Sequence, residues 1–253
     1  MMAPPDPHLS IVVPAYNESA RIGSSLASIV AWAEAQSFPV EIIVVDDGSL
    51  DETVLVARAG LDGAARPKGI RAAVLMGEPN RGKGYAIRRG VLAATGALVL
   101  VTDADLSTPI EEASRLLDLM GRLGEPGLVI GSRDVGDSRV EVHQNAVREM
   151  MGKVFNRVVR TITGLPFHDT QCGFKLMSRE AVTPLFARAR IDGFSYDVEL
   201  LFLARRQGLP IREVGVTWRN APGSKVGMLA DPLRMLRDVF RVRIWEKQGA
   251  YDG

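Results

Sequence analysis

The chain has 253 residues, of which 24% are charged and 46% are hydrophobic, and its formal net charge at pH 7 is +1. These values are typical of a globular protein and argue against a dedicated nucleic-acid binder, which carries a marked basic excess. The single cysteine, Cys172, excludes an intrachain disulfide and a thiolate zinc site.

Apolar runs alternate with segments of helical spacing through the first half of the chain. The predicted strands cover 9–14, 40–45, 71–76, 97–102 and 128–131, and the predicted helices cover 20–37, 50–60, 83–95 and 110–123. Because strands and helices alternate at this spacing, we predict an α/β fold with a mostly parallel sheet covered by helices on both faces. Residues 1–8 are Pro-rich and lack the features of a signal peptide, so we expect a disordered lead-in there.

The second half of the chain is predicted to be more helical. We expect helices over 140–163, 179–189, 196–207 and 231–245, and strands over 174–177 and 211–216. The first of these helices carries an apolar stripe that we predict to be core, formed by Val147, Met150, Met151, Val154, Phe155, Val158 and Ile162. No domain boundary is evident, so residues 9–253 are predicted to form a single domain.

The strand at 97–102 is followed by two carboxylates, Asp103 and Asp105, which are separated by one residue. Open α/β sheets bind ligands at the carboxyl ends of their strands. Two close carboxylates repel each other unless a cation lies nearby, and oxygen ligands with a bound diphosphate suit Mg²⁺ or Mn²⁺. The alternative is a loop in which one aspartate caps the next helix and the other faces water.

Three other predicted strand ends carry polar or turn-forming residues. They read PAYNE at 14–18, DDGS at 46–49 and NRGKG at 80–84, and all would gather at one edge of the sheet. A nucleotide-sugar needs such a mixture of acceptors and a cation site, and Asp46 could accept a hydrogen bond from a base N–H. Gly84 follows Lys83 where a phosphate-binding P-loop needs Ser or Thr, which argues against that motif. No dinucleotide fingerprint G-x-G-x-x-G follows a strand, which argues against an NAD-type Rossmann enzyme.

Eight ordered motifs resemble glycosyltransferase family 2. They are PAYNE at 14–18, VVDDGSLDET at 44–53, NRGKGYAIRRG at 80–90, TDADLSTP at 102–109, GSRD at 131–134, DTQCGFK at 169–175, FSYDVELL at 194–201 and GSKV at 223–226. The downstream motifs resemble the dolichyl-phosphate glucosyltransferase and polyprenyl-phosphate glycosyltransferase branch. The resemblance implies the nucleotide-diphospho-sugar transferase (GT-A, Rossmann-like) fold, with 9–131 as a nucleotide-sugar half, 132–228 as an acceptor half and 229–247 as a C-terminal amphipathic helix.

The resemblance also implies the residues of the donor site. The nucleotide-sugar would be bound by Pro14, Ala15, Tyr16, Glu18, Asp46, Asp47, Lys83 and Asp103. Asp103 and Asp105 would hold Mg²⁺ or Mn²⁺ and, through it, the diphosphate. Related enzymes often place a third metal ligand, Gln, where this chain has Ser107, which puts that ligand in doubt.

The acceptor implied by the resemblance is a polyprenyl or dolichyl phosphate, which would receive a hexose from UDP-glucose, with GDP-mannose as the alternative donor. Its phosphate would be held by Arg133, Arg148, Gln171, Arg219 and Lys225. A hydroxyl acceptor, such as a soluble sugar or polysaccharide, would instead require a carboxylate base, first Asp169 and second Asp197. The catalytic residues are therefore predicted to be Asp105, Asp169 and Arg133, and a non-catalytic nucleotide-sugar binder is the remaining alternative.

The last helix is basic and amphipathic over 229–245. Such a helix can lie on an anionic membrane surface, but the same pattern fits a helix that docks on its own domain or on a second copy of the chain. We expect a cytoplasmic protein, peripheral on the inner face of a membrane if its acceptor is a lipid, with a homodimer left open.

Overall fold

A computed structural model of the chain describes residues 6–62, 69–77, 79–142, 146–220 and 230–252. The strands are β1 Leu9–Ala15, β2 Val40–Asp46, β3 Ile70–Met76, β4 Leu98–Val101, β5 Leu128–Ser132, β6 Arg139–Val142, β7 Lys175–Ser178, β8 Ile211–Gly215 and β9 Thr217–Arg219. The helices are α1 Ile22–Glu34, α2 Thr53–Asp62, α3 Lys83–Ala93, α4 Glu112–Gly121, α5 Ala146–Thr163, α6 Arg179–Arg188, α7 Tyr196–Arg206 and α8 Ala230–Lys247. None of these helices is both long enough and apolar enough to cross a membrane.

Seven strands form the central sheet in the order β3-β2-β1-β4-β7-β5-β8. All residues of β1 and β2 are buried, because side chains alternate between the two sheet faces and helices cover both. Val12 thus belongs to the apolar core on one face, while Ile11 and Val13 belong to the core on the other. The predicted mostly parallel, doubly covered sheet is confirmed.

One strand of the sheet, β7, runs antiparallel to both of its neighbours, β4 and β5. Its first residue, Lys175, is level with Val101 of β4 and Ile130 of β5. The segment that precedes β7 therefore reaches the same edge of the sheet as the segments that follow β4 and β5. This reversal brings the 169–174 loop to the edge that carries Asp103 and Asp105.

The structure corrects the start of the helix predicted over 140–163. Residues 139–142 form strand β6, which pairs in parallel with β9 in a separate two-stranded sheet, and α5 begins only at Ala146. The segment reads RVEV, whose apolar residues alternate with charged ones as in a half-buried strand. Neither β6 nor β9 was predicted.

The apolar stripe predicted on α5 is only partly in the core. Phe155 and Ile162 are half-buried against the core, whereas the side chains of Met150, Met151 and Val154 are 61%, 36% and 57% exposed. Helical spacing alone does not tell which apolar face of a surface helix the domain covers. The prediction that the whole stripe is core is wrong for these three residues.

Helix α8 docks on its own domain with one face. Val239 and Val242 are fully buried in the core. The chain beyond the helix is tied down by Glu199 of α7, whose carboxylate accepts hydrogen bonds from the Tyr251 hydroxyl at 2.7 Å and from the Ile191 N–H at 2.8 Å. Glu199 is fully buried, and its hydrogen bonds join the C-terminal segment to the rest of the domain.

Candidate active site

A pocket of about 670 Å³ opens at the edge of the sheet where β1, β2 and β4 end, a size suited to a small-molecule ligand. Its walls include most of the predicted site residues, namely Pro14, Ala15, Tyr16, Glu18, Asp47, Lys83, Asp103, Asp105, Arg133 and Gln171. Residues from motifs far apart in the chain therefore meet in one cavity.

The loop before α3 is held by Asp47. Its carboxylate accepts hydrogen bonds from the N–H groups of Arg81 at 3.1 Å and Gly82 at 2.6 Å. Gly82 has a φ of +119°, and a Cβ there would meet the Asp192 carbonyl oxygen at 2.5 Å, so only glycine fits. These constraints fix the start of α3 and place Lys83 in the pocket wall.

Asp46 has a different environment from the one we predicted. One of its carboxylate oxygens accepts hydrogen bonds from the N–H groups of Gly48 and Ser49, both at 3.1 Å. The other is buried and has no hydrogen-bond partner among the described residues. Asp46 is not among the residues lining the pocket, so its contact with a base stays a prediction.

Each aspartate of the pair at the end of β4 faces a basic side chain. Lys83 Nζ lies 2.5 Å from Asp103 Oδ1, and Arg21 Nη1 lies 3.8 Å from Asp105 Oδ2. Arg21 is also paired with Glu18, with Nε 2.5 Å from Oε2. Although burial favours the neutral forms, the attraction between Lys83 and Asp103 outweighs it, so the pKa of Asp103 is lowered and that of Lys83 is raised.

The donor set of this pair fits a divalent cation that is shared with a substrate. Asp103 and Asp105 both line the pocket, and among the described residues no group of three or more acidic, His or Cys side chains could complete a metal site. Mg²⁺ is commonly held by one or two carboxylates together with substrate phosphates and water. Ser107 also lines the pocket, but its backbone N–H donates to Asp105 Oδ1 at 2.9 Å.

Gly173 allows the 169–174 loop, which precedes β7, to approach Asp103 closely. A Cβ at this position would overlap the carboxylate of Asp103, with three atoms of that group as its nearest neighbours. A side chain at position 173 would therefore force the Asp103 carboxylate to move.

We predict that Gly173→Ala lowers the transferase activity implied by the resemblance by about 100-fold, because a displacement near 1 Å in a catalytic constellation costs about that much. The measurement is kcat at saturating donor and acceptor. Gly121→Ala is the matched control, since a Cβ on Gly121 meets nothing within 4 Å. Equal activity of the two variants would contradict the proposed sensitivity of Asp103 to this contact.

Arg133 and Asp169 form a bidentate ion pair. Arg133 Nε donates to Asp169 Oδ2 at 2.7 Å and Nη2 donates to Oδ1 at 3.0 Å, while the guanidinium lies 5.6 Å from the ring centre of Trp218. The Gln171 N–H adds a further hydrogen bond to Asp169 at 3.1 Å. Burial alone would raise the pKa of Asp169, but the charge and hydrogen bonds of Arg133 lower it to about 2.

This geometry does not support the base role that we predicted for Asp169 with a hydroxyl acceptor. Asp169 is buried and does not line the pocket, and a carboxylate with so low a pKa accepts a proton poorly. The second candidate, Asp197, does line the pocket. Its carboxylate lies 2.5 Å from the buried Lys175 ammonium, and burial raises its pKa.

Of the remaining predicted phosphate contacts, Arg219 is the one whose side chain lies among the described residues. Arg219 of β9 pairs with Glu141, with Nε 2.5 Å from Oε2, and is not among the lining residues. The side chain of Arg148 and all of Lys225 lie outside the described residues.

Several pocket residues were missed by sequence reasoning. They include Arg21, Asn80, Met151, Phe155, Phe194, Trp218, Pro232 and Met235. Arg21 lies three residues after Glu18 at a helix start, which is a detectable spacing for an ion pair. For Trp218 no signal exists in the sequence, because its position depends on the unpredicted pairing of β6 with β9.

The fold and this pocket define the class of enzymes that transfer a sugar from a nucleotide-sugar. The chain belongs to the family described as glycosyl transferase family 2, whose model matches residues 10–186. It is 36% identical to the dolichyl-phosphate beta-glucosyltransferase of Drosophila melanogaster, over 98% of this chain and 78% of the relative. It is 34% identical to the Dictyostelium discoideum enzyme of the same name, over 93% of this chain and 74% of that relative.

A solved structure gives the same class. It is glucosyl-3-phosphoglycerate synthase from Mycobacterium tuberculosis, in complex with Mn²⁺, UDP-glucose and glycerol 3-phosphate. The two chains are 27% identical and superpose with a TM-score of 0.64, over 94% of this chain and 79% of the synthase. The resemblance inferred from the eight motifs is thereby confirmed, as is the prediction that the chain is a glycosyltransferase.

Proposed function

We propose that this enzyme is an inverting, metal-dependent glycosyltransferase that moves glucose from UDP-glucose to a polyprenyl phosphate of the dolichyl type. The named activity of relatives that are 34% and 36% identical over nearly the whole chain supports this acceptor and this sugar. The observation that carries the proposal is the Arg133–Asp169 pair, which presents a fixed guanidinium to the pocket that holds Asp103 and Asp105.

The donor end of the pocket is suited to a nucleoside diphosphate. Asp103 and Asp105 would hold Mn²⁺ or Mg²⁺, which neutralises negative charge on the diphosphate leaving group. Lys83 and Arg21 supply two further positive charges beside these aspartates. Tyr16, Pro14 and Asp47 line the same pocket and would contact the nucleotide.

The acceptor end is suited to a phosphate nucleophile. A phosphate monoester is largely ionised near neutral pH, since its second pKa is about 6, so it needs orientation more than deprotonation. The planar guanidinium of Arg133 matches phosphate oxygens, and Asp169 and Trp218 restrict its orientation. An acceptor phosphate oxygen then attacks the anomeric carbon, and the bond to UDP breaks with its electron pair leaving on UDP.

The second candidate is the same donor chemistry with a small soluble acceptor. The structural relative was solved in complex with glycerol 3-phosphate, a small phosphorylated molecule, and Arg133 would suit such an anion equally. The apolar side chains of Met151, Phe155, Pro232 and Met235 in the pocket wall favour a lipid instead.

The test is a panel of radiolabelled UDP-glucose and GDP-mannose against polyprenyl phosphate in detergent, 3-phosphoglycerate and soluble sugars, with Mn²⁺ or EDTA. We expect label from UDP-glucose to enter the organic phase with polyprenyl phosphate, and EDTA to stop it. Product confined to the aqueous phase would favour the second candidate. No transfer with any acceptor, despite donor binding, would indicate a non-catalytic binder.

The predicted cytoplasmic location, peripheral at a membrane through the C-terminal helix, follows from this acceptor and is part of the proposal. The same holds for the division into a donor half over 9–131 and an acceptor half over 132–228. Both halves contribute to the pocket, with Asp103 from the first and Arg133 from the second.

A further inference from the structure

Exposed apolar side chains are concentrated on two helices of the described structure. Six of the ten large hydrophobic residues that are exposed belong to α5 and α8, namely Met150, Met151, Val154, Leu233, Phe240 and Ile244. The other four, Leu50, Leu55, Met76 and Leu92, are spread over three other regions of the chain. Such a concentration marks an interaction site more often than chance exposure.

On α8 the exposed apolar residues share one face. Leu233, Phe240 and Ile244 are 72%, 50% and 50% exposed, and their spacing of seven and four residues places them one above another on the helix. Val239 and Val242, on the opposite face, are fully buried. The helix is therefore anchored on the domain by one apolar stripe and presents a second stripe outward.

Basic side chains border the outward stripe of α8. The side chains of Arg237 and Arg241 are 62% and 46% exposed. The acidic residues nearby are much less accessible, since the side chains of Asp238 and Glu246 are 16% and 27% exposed. Both arginines pair with Asp238, at 3.8 and 3.3 Å, so two cations share one carboxylate and a net positive charge remains on this side of the helix.

Helix α5 also exposes apolar side chains. It packs against α8, and its exposed Met150 and Val154 are four residues apart on one face. Lys153, with a side chain 69% exposed, and the exposed Arg157 border them. Both helices also reach the pocket wall, α5 through Met151 and Phe155 and α8 through Pro232 and Met235, so the two helices adjoin the pocket.

We propose that α5 and α8 together form a membrane-docking face, which we define by Met150, Val154, Leu233, Phe240 and Ile244 with Lys153, Arg157, Arg237 and Arg241. Its partner is a bilayer with anionic headgroups, which accept the basic border while the apolar stripe enters the interface. The inference rests on the proposed function, because docking by this face would bring the pocket mouth to a lipid-phosphate acceptor.

Charge complementarity favours a bilayer over a second copy of the chain. In a twofold dimer the same face meets itself, so Arg237 and Arg241 of each copy would oppose basic residues of the other. Like charges placed opposite each other across an interface are unfavourable. An anionic lipid surface satisfies both the apolar stripe and its basic border.

The test is flotation of the purified protein with vesicles of phosphatidylcholine alone or of phosphatidylcholine mixed with phosphatidylserine. We expect binding to the mixed vesicles and at least about tenfold weaker binding for Phe240→Glu, for Val154→Glu and for the double variant Arg237→Glu/Arg241→Glu. Leu55→Glu is the matched control, because Leu55 is 65% exposed on α2, and its binding is expected to be unchanged.

A second measurement separates docking from folding and from catalysis. Phe240→Glu should keep its thermal midpoint and its transfer to a short, water-soluble prenyl phosphate, while transfer to long-chain polyprenyl phosphate in vesicles falls. Undiminished flotation of Phe240→Glu and Val154→Glu would overturn the inference. The inference would also be overturned if the protein did not bind vesicles and instead formed a dimer that Phe240→Glu dissociated. Vesicle binding without any sugar transfer would reject the proposed function and leave the docking face standing.

Discussion

Asp105→Asn is expected to abolish glucosyl transfer without changing the fold. The substitution removes one of the two carboxylates available to the metal, and Lewis-acid stabilisation of a leaving diphosphate is worth several kcal/mol, so kcat should fall by about 1,000-fold or more. The fold should persist because the Asp105 side chain is 21% exposed and contacts only loop and surface groups, the Ser107 N–H and the Arg21 guanidinium, among the described residues. The measurements are transfer over a Mn²⁺ titration and circular dichroism.

Asp118→Asn is the control for this substitution, since Asp118 is an exposed residue of α4 and does not line the pocket. Calorimetry provides a further check that is independent of turnover. Mn²⁺ should strengthen UDP binding to the natural chain and have little effect on the Asp105→Asn variant. Retention of more than a tenth of the activity by this variant would refute the assignment of Asp105 as a metal ligand.

The second large effect is expected for Arg133→Ala. Removing one preorganised charged donor from an anion site costs about 100- to 1,000-fold, and this loss should appear in kcat/KM for the phosphate acceptor. The affinity for UDP should change less than the acceptor kcat/KM, because we propose the two aspartates and Lys83, not Arg133, as the residues that hold the donor. Acceptor kinetics and UDP calorimetry on the same preparation separate these two quantities.

Asp169→Asn distinguishes a positioning residue from a base. As a positioning residue, Asp169 acts through Arg133, so its loss should raise the acceptor KM about tenfold and leave kcat near its natural value, because the amide still accepts one hydrogen bond from the guanidinium. The pH profile should keep its shape above about pH 4, since the pKa of Asp169 is about 2 and the group is already ionised there. A general base would instead lower kcat by about 100- to 10,000-fold, and that result would restore the hydroxyl acceptor.

Much of the donor side could be predicted because its residues follow parallel strands. Continuous apolar runs identify such strands, and the polar residues after β1, β2 and β4 meet at one edge by the geometry of a parallel sheet. Pro14, Asp47 and Asp103 were found in this way, and the structure places all three in the pocket wall.

The acceptor side was harder to predict because its geometry depends on tertiary contacts. Asp169 lies in the motif at 169–175, which suggested a general base for a hydroxyl acceptor. In the structure its carboxylate instead accepts hydrogen bonds from Arg133, which is 36 residues away in the chain. Trp218 comes beside Arg133 only because β9 pairs with β6. The exposure of Met150 and Val154 depends on what packs against α5, and helical periodicity carries no information about that.

The reversed strand β7 has a consequence for how this enzyme can be divided or recombined. β7 comes from the second half of the chain, yet it lies between β4 and β5, which come from the first. A fragment ending at residue 131 would lack the hydrogen-bonding partner of both strands, and two sheet edges would be left open at its centre. The donor and acceptor parts are therefore not interchangeable modules, and new acceptor preferences in such a scaffold would have to arise by substitutions in loops and surface helices, not by exchange of a domain.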